Sequence, residues 1–96
     1  MLLAERQTPE GVLVSVCDAE ALGETFENGE VSLTVDPDFY DGDPADAETV
    51  ADALARCTTA NLVGTEAVAV AVDAGFVDEA NVLDIDGTRH AQYLQL

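Results

Sequence analysis

The residues from Ala60 to Gly75 form the longest apolar segment of the chain, and they restrict the fold more than any other stretch. Glu66 and Asp73 are the only charged residues in it, and at about 100° per residue they share one narrow strip of a helix. A helix that is apolar on nearly every side is a buried one. Valine alternates with alanine from Val68 onward, which is also typical of a strand. We predict a helix, because alanine favours helices over strands and Gly75 stands where a C′ glycine belongs.

Acidic residues dominate the charge of the chain, which has 20 Asp and Glu, three Arg and no Lys, and a net charge of −17. The hydrophobic fraction of 48 % is normal for a globular protein, so the charge does not indicate disorder. Mimicry of an acidic partner, metal buffering and adaptation to multimolar salt each explain such a surface. The absence of lysine beside an ordinary core favours salt adaptation, because at about 1 M salt repulsion between surface carboxylates is screened within about 3 Å.

The length of 96 residues suits one domain with a single core, so we expect residues 1–96 to form a single α+β domain. No apolar run approaches the roughly 18 residues of a membrane span, and the N-terminal segment lacks the basic start of a signal peptide. We therefore expect a cytoplasmic protein without membrane contact. In that compartment Cys17 and Cys57 are expected to be free thiols rather than a disulfide.

Local signals place strands at 1–6, 12–17, 31–35, 82–85 and 88–96, with the first two and the last two paired as hairpins. Asp86-Gly87 suits the tight turn of the last hairpin. One helix is expected to start at Asp43-Pro44, with Asp43 as its cap, and the apolar segment supplies another, capped by Asn61 or Thr65. The predicted fold is an α+β two-layer sandwich whose mostly antiparallel sheet is covered on one face by these two helices.

Two short pieces of sequence carry residue types that protein interfaces favour. The aromatic pair Phe39-Tyr40 precedes Gly42 in an aspartate-rich loop, and Arg89-His90 is the one local positive pair. Because aromatic and arginine side chains are enriched in interfaces, we predict that these five residues bind a protein or ribonucleoprotein partner. The alternative is that the aromatic pair plugs its own loop. The chain has no basic patch, so DNA binding is not predicted.

A second set of residues predicts a different function. Asn61 to Gly64 are expected at a helix start, where glycine lets the backbone approach an anion or a packed neighbour. Together with Cys17 and Asp18 they form a candidate site for a small molecule or an anion, or for an enzyme. A concave pocket that joins Cys17, Asn61 and His90 would favour this alternative, whereas Phe39 and Tyr40 exposed on a convex face would favour the binding module.

No cofactor, metal or catalytic motif is apparent in the chain. It lacks a phosphate loop and a dinucleotide fingerprint. The aspartates from Asp36 to Asp43 do not have the spacing of a calcium loop, and Cys17, Cys57 and His90 do not have that of a zinc site. We therefore predict no cofactor and no metal, and we assign no catalytic residue.

Several short pieces, taken together in order and spacing, resemble an uncharacterised and mainly archaeal family, Domain of Unknown Function (DUF) family 424. The pieces are Cys17-Asp18, Leu22-Gly23 with Phe26, Phe39-Tyr40-Asp41-Gly42, Asn61-Leu62-Val63-Gly64 with Ala67-Val68, and Arg89-His90-Ala91-Gln92. The resemblance implies a small two-layer α/β domain, a cytoplasmic location and no established activity. It also suggests a housekeeping role in translation or RNA metabolism, and the acidic composition indicates the haloarchaeal form.

Overall fold

Eight strands and three α-helices are formed by residues 1–95, the part of the chain that the computed structural model describes. The strands are β1 (Leu2–Thr8), β2 (Gly11–Cys17), β3 (Thr25–Asn28), β4 (Val31–Thr34), β5 (Asp43–Pro44), β6 (Thr59–Val63), β7 (Leu83–Ile85) and β8 (Thr88–Leu94). The α-helices are α1 (Pro37–Tyr40), α2 (Ala47–Arg56) and α3 (Thr65–Asp73), and short 3₁₀ turns span Ala19–Ala21 and Glu79–Asn81. The predicted α+β class is confirmed. None of the helices in this part of the chain is long and apolar enough to cross a membrane.

Six strands form the main sheet in the order β5-β1-β2-β6-β8-β7. All neighbours are antiparallel except β2 and β6, which confirms a mostly antiparallel sheet. Strands β3 and β4 pair only with each other, in a separate two-stranded sheet. The prediction that 31–35 belongs to the main sheet was therefore wrong. The turn at Gly29-Glu30 closes this hairpin locally, and the hairpin then packs over the main sheet instead of extending it.

Helices α2 and α3 cover one face of the main sheet, as predicted. Val14, Val16 and Leu62 project from β2 and β6 into this layer, where Val50 and Val68 meet them. All five side chains are fully buried. This layer holds the larger part of the apolar core, and burial of each such side chain stabilises the fold by roughly 1.5–3 kcal/mol.

The opposite face of the sheet is covered at one end only. There α1 and the β3–β4 hairpin bury Cys17 and Val63 against Val35 and Tyr40. Strand β2 is therefore buried on both faces at its C-terminal end, although its alternating pattern predicted a half-buried strand. The remainder of this sheet face is not covered by any element within residues 1–95, and the candidate site lies there.

The long apolar segment divides into a strand and a helix. Ala67 to Val72 is helical, as predicted, and Gly75 follows with φ of +85° and its N–H donating to the Val72 carbonyl. The predicted helix start at Asn61 was wrong, because Asn61 to Val63 belong to β6. A central strand with neighbours on both sides is apolar on both faces, and a buried helix has the same appearance in sequence. Gly64, with φ of +123°, ends the strand and allows the chain to turn into α3.

Two further predictions concern element boundaries. Asp86 and Gly87 both have positive φ and join β7 to β8, as the predicted hairpin turn requires; Leu96, which we expected in that hairpin, lies outside the described residues. The helix predicted to start at Pro44 instead starts at Ala47. Asp46 is its cap and accepts a hydrogen bond from the Thr49 N–H at 2.9 Å, while Asp43–Pro44 pairs with β1 as a short edge strand.

Candidate functional site

A groove of about 270 Å³ lies on the uncovered face of the main sheet, and we call it the sheet groove. Its floor is formed by Leu13, Ser15, Asn61, His90 and Gln92. Its wall is formed by Leu33, Phe39 and Tyr40, which come from β4 and α1. The floor residues come together because alternate residues of β2, β6 and β8 point away from the helices.

The sheet face that contains this groove carries no carboxylate on its four central strands. The strand register places the following residues on it: Leu2, Ala4 and Arg6 of β1, Leu13, Ser15 and Cys17 of β2, Thr59, Asn61 and Val63 of β6, and His90, Gln92 and Leu94 of β8. The chain as a whole has 20 Asp and Glu among 96 residues. Ser15, Cys17 and Val63 are buried, and the residues of this face that remain accessible form a surface without carboxylates in an otherwise acidic chain.

Exposed apolar side chains lie on the same side of the molecule. Among residues 1–95 the large hydrophobic side chains with high exposure are Val31 (49 %), Phe39 (48 %), Leu83 (45 %) and Leu94 (61 %). Leu83 is the register partner of His90, and Leu94 follows Gln92 at strand spacing. Val31 lies two residues before the groove residue Leu33 on β4, so both side chains project from the same face of that strand. Single exposed apolar residues are ordinary, but several on one side indicate a surface that is covered in function.

The polar groups on the groove floor are held in defined orientations. The Gln92 side-chain amide donates to the Asn61 side-chain oxygen at 2.9 Å. His90 Nδ1 lies 3.0 Å from the Leu62 carbonyl, and since a carbonyl only accepts, Nδ1 carries the hydrogen. In the neutral ring Nε2 is then an acceptor that is available to a ligand. The floor therefore offers fixed donors and acceptors without net charge.

Phe39 and Tyr40 have different environments. The Arg6 guanidinium carbon lies 4.7 Å from the centroid of the Phe39 ring, and Arg6 also donates to the Asp38 carbonyl. This cation–π contact holds the exposed ring in place. Tyr40 is buried, and burial raises the pKa of its hydroxyl, with a smaller effect from Cys17. Tyr40 therefore fits the interpretation that the aromatic pair is buried in its own loop, and Phe39 fits the interpretation that it is exposed.

Gly42 and Arg89, two further partner-binding candidates, lie outside the groove. A Cβ atom on Gly42 would stand 2.0 Å from the Leu3 carbonyl oxygen, so glycine allows the chain to pass close to β1. Arg89 points to the opposite face from His90, because neighbouring residues of a strand alternate. It is paired with Glu79 and, at 3.2 Å, with Asp84. The sequence pair Arg89-His90 is thus not a pair in space.

The alternative ligand set is also divided by the structure. The concave sheet groove joins Asn61 and His90, as the ligand alternative expected, but Cys17 is fully buried and does not line it. Phe39 lies in this groove and not on a convex face as expected for the module. Burial is the main cause that raises the pKa of the Cys17 thiol to about 11, with the Asp18 carboxylate second. Such a thiol is neutral at physiological pH and is a poor nucleophile.

Asp18 and Gly64 form one structural unit at the start of α3. The Asp18 carboxylate is buried and accepts hydrogen bonds from the N–H groups of Glu66 at 3.1 Å and Ala67 at 2.8 Å. A Cβ atom on Gly64 would stand 2.2 Å from the Asp18 carboxyl carbon. The helix N-terminus predicted to bind an anion is therefore occupied by a carboxylate of the protein itself.

Thiols and carboxylates do not form a metal centre in the described part of the chain. Cys17 and Cys57 are free and buried, in core clusters on opposite faces of the sheet. Within residues 1–95 no group of three or more His, Cys, Asp or Glu side chains converges as a metal site would require.

Sequence reasoning missed several groove residues, among them Leu13, Ser15, Leu33 and Gln92, and it missed the role of Arg6. A signal for Gln92 was present, because strand alternation places it on the same face as His90 two residues earlier. No local signal indicates Leu13 or Ser15, since they line the groove only because α1 and the β3–β4 hairpin stop covering the sheet there.

The fold and the groove define a small α+β protein with a six-stranded sheet, one face of which is only partly covered and carries no carboxylate on its four central strands. A family model described as a protein of unknown function (DUF424) matches residues 5–96, and the chain belongs to this family. The chain is also similar to the crystal structure of an uncharacterized conserved protein from Methanopyrus kandleri, with a TM-score of 0.77 and 25 % sequence identity. That similarity covers 99 % of this chain and 93 % of the other. No curated protein matches the chain.

Proposed function

We propose that this DUF424 protein is a non-catalytic binding module that docks a protein or ribonucleoprotein partner on the sheet groove. The observation that supports it most is the absence of Asp and Glu from the central sheet face in a chain with 20 of them. An uncharged core surrounded by a charged rim is the usual composition of a protein interface. Phe39 is a rigid aromatic anchor of the kind that contributes most to binding energy.

The proposed setting is the cytoplasm, in translation or RNA metabolism. This setting rests on the family resemblance, since the Methanopyrus kandleri relative is described as an uncharacterized conserved protein. Support for binding rather than catalysis comes from the groove itself, whose polar groups include the His90 imidazole and the Asn61 and Gln92 amides, held by hydrogen bonds to the Leu62 carbonyl and to each other.

The alternative of a small-molecule site or an enzyme built on Cys17, Asp18, Asn61 and Gly64 has less support. The Cys17 thiol is fully buried, the Asp18 carboxylate is used to cap α3, and Asn61 faces the sheet groove with neither of them. We therefore do not propose it as the function.

The test is affinity purification of the tagged protein from cells of its own source, with partners identified by mass spectrometry and RNA detection. Phe39→Ala and Gln92→Ala remove groove side chains that are exposed, so the fold should persist. Gln7→Ala is the matched control, because Gln7 is exposed on β1 but its register with Val12 places it on the helix side. Arg89→Ala is a second control on the opposite face.

We expect the wild type and both controls to retain one partner, and the two groove variants to lose it by about tenfold or more, which corresponds to at least 1.4 kcal/mol. Thermal unfolding of all variants, followed by circular dichroism, checks that they are folded. A wild-type protein that purifies without any partner would contradict the proposal, as would equal loss in Gln7→Ala.

A further inference from the structure

We infer that the segment seated in the sheet groove is a basic protein segment, with an apolar side chain in the groove and lysine or arginine on either side. This inference rests on the proposed function and chooses between its two kinds of partner. Three observations carry it: the state of the arginines, the charge around the groove and the chemistry of the groove floor.

Every arginine in the described part of the chain already has a partner, so a phosphate backbone would have to displace that partner. The chain contains three arginines and no lysine, and each arginine is already engaged. Arg6 is held by the Asp38 carbonyl and the Phe39 ring, Arg56 pairs with Glu5 at 2.7 Å, and Arg89 pairs with Glu79 and Asp84. Nucleic acids are bound largely through phosphate contacts from lysine and arginine. RNA bound in the sheet groove would therefore lack the lysine and arginine contacts that usually hold its phosphates.

Charge complementarity favours a cationic occupant. The carboxylates that give the chain its net charge of −17 surround a sheet face that has none on its central strands. A partner in the sheet groove is therefore surrounded by negative charge. Asp38 and Asp41, which flank Phe39 and Tyr40 in the chain, are both exposed. In dilute buffer such a negative field attracts lysine and arginine, repels phosphate and increases the association rate of a basic partner. In multimolar salt, where long-range effects are screened, only carboxylates next to the bound segment contribute.

The groove itself suits a peptide with one apolar side chain. Leu13, Leu33 and Phe39 supply the apolar surface. The amides of Asn61 and Gln92, together with His90 Nε2, are donors and acceptors of the kind that bond to peptide N–H and C=O groups. The volume of about 270 Å³ is close to the lower end of about 300 Å³ for pockets that bind small molecules, which suits a single side chain rather than a cofactor.

The first experiment titrates three probes into the ¹⁵N-labelled protein and follows its amide resonances. The probes are a short peptide with a Leu-Phe core flanked by lysines, the same peptide flanked by glutamates, and a single-stranded uridine oligonucleotide. We expect the lysine peptide to shift the amides of Leu13, Asn61 and Gln92 and to leave those of α2 unchanged. We expect no shifts from the other two probes. The inference is overturned if the oligonucleotide shifts the groove amides at lower concentration, or if the lysine peptide shifts nothing up to about 1 mM.

The second experiment reverses the sign of the charge in the groove. Gln92→Arg should lower the affinity for the lysine peptide by about tenfold or more, whereas Gln92→Glu should lower it far less. Gln7→Arg and Gln7→Glu are the matched controls on the helix side of the sheet. The titrations are made in about 1 M KCl, where long-range charge effects are screened. An inverted order, in which Gln92→Arg strengthens binding of the oligonucleotide and Gln92→Glu abolishes it, would overturn the inference. Equal effects at position 7 would also overturn it.

The failure of this inference can be distinguished from the failure of the proposed function. If the purified partner depends on Phe39 but is released by ribonuclease, the binding module stands and the basic segment is wrong. If no partner depends on the groove, the proposed function itself is wrong.

Discussion

At the scale of single residues, the contact between Asp18 and Gly64 explains why a glycine stands between β6 and α3. The position combines φ of +123° with a carboxyl group 2.2 Å from where a Cβ atom would lie. Gly75 has a φ of +85° and open space around it. A side chain at Gly75 therefore meets only the strain of a positive φ, whereas at Gly64, with φ of +123° and ψ of +152°, it meets a more strained backbone and a steric clash together.

We predict that Gly64→Ala lowers the free energy of unfolding by roughly 2–4 kcal/mol, because it adds displacement of the Asp18 cap to the backbone strain. Gly75→Ala should cost only about 1–2 kcal/mol, since the left-handed conformation is its only penalty. Urea unfolding at neutral pH measures both values. Equal losses in the two variants would show that the Asp18 contact does not matter.

The two thiols provide a second prediction at this scale. Burial raises the pKa of Cys17 to about 11 and also raises that of Cys57, so both are protonated in the folded protein at pH 8, where an ordinary thiol with a pKa near 8.5 is partly ionised. We expect neither to react with Ellman's reagent at this pH over the time in which a free cysteine reacts fully. Both should react in denaturant, which is the control. Rapid reaction of one equivalent in the native state would contradict the described burial.

At the scale of elements, the start of α2 depends on Asp46, whose side chain accepts the Thr49 N–H. That hydrogen bond lowers the pKa of the Asp46 carboxyl. A lowered folded-state pKa contributes stability that is present above the unfolded value of about 3.9 and is lost as the pH falls through the folded value. The charge also favours the positive end of the helix dipole.

We predict that Asp46→Asn, which retains a good cap but does not titrate, is less stable than the wild type at pH 7. The difference should shrink as the pH falls below about 4. Melting temperatures across that range measure it. Asp52→Asn is the matched control, since Asp52 is exposed on the same helix without a described cap hydrogen bond. A difference that is independent of pH would contradict the assigned role of the Asp46 charge.

At the scale of the whole molecule, 20 carboxylates face only three arginines, and the arginines described above already have partners. Added salt therefore has few favourable ion pairs to weaken and much repulsion to screen. We predict that the melting temperature rises between 0.1 and about 1 M KCl, as the Debye length falls from about 10 to about 3 Å. A flat melting temperature up to about 3 M would contradict salt adaptation. Sucrose is the control, because it stabilises proteins without screening charge.

The sequence alone determined features whose causes are local. Ala67 to Val72 form a helix because alanine favours one and Gly75 ends it, and Asp86-Gly87 forms a turn because both residues tolerate positive φ. The α+β class, the helix-covered sheet face and the family resemblance rest on such local patterns, and each is confirmed. The uncharged character of the groove was also present in the sequence, but it becomes visible only when the strand register is known.

Only the tertiary structure decided the rest, because the deciding contacts join residues far apart in the chain. Asn61 to Val63 is a strand because β2 and β8 pair with it on either side, and no local signal separates this from a buried helix. Asp18 caps a helix 48 residues away instead of its own turn. The groove exists because α1 and the β3–β4 hairpin stop short of the exposed end of the sheet, so that Phe39, Asn61 and His90 meet there while Arg89 and Cys17 do not. Local propensity has no information about where a covering layer ends, and for this protein that boundary defines the candidate site.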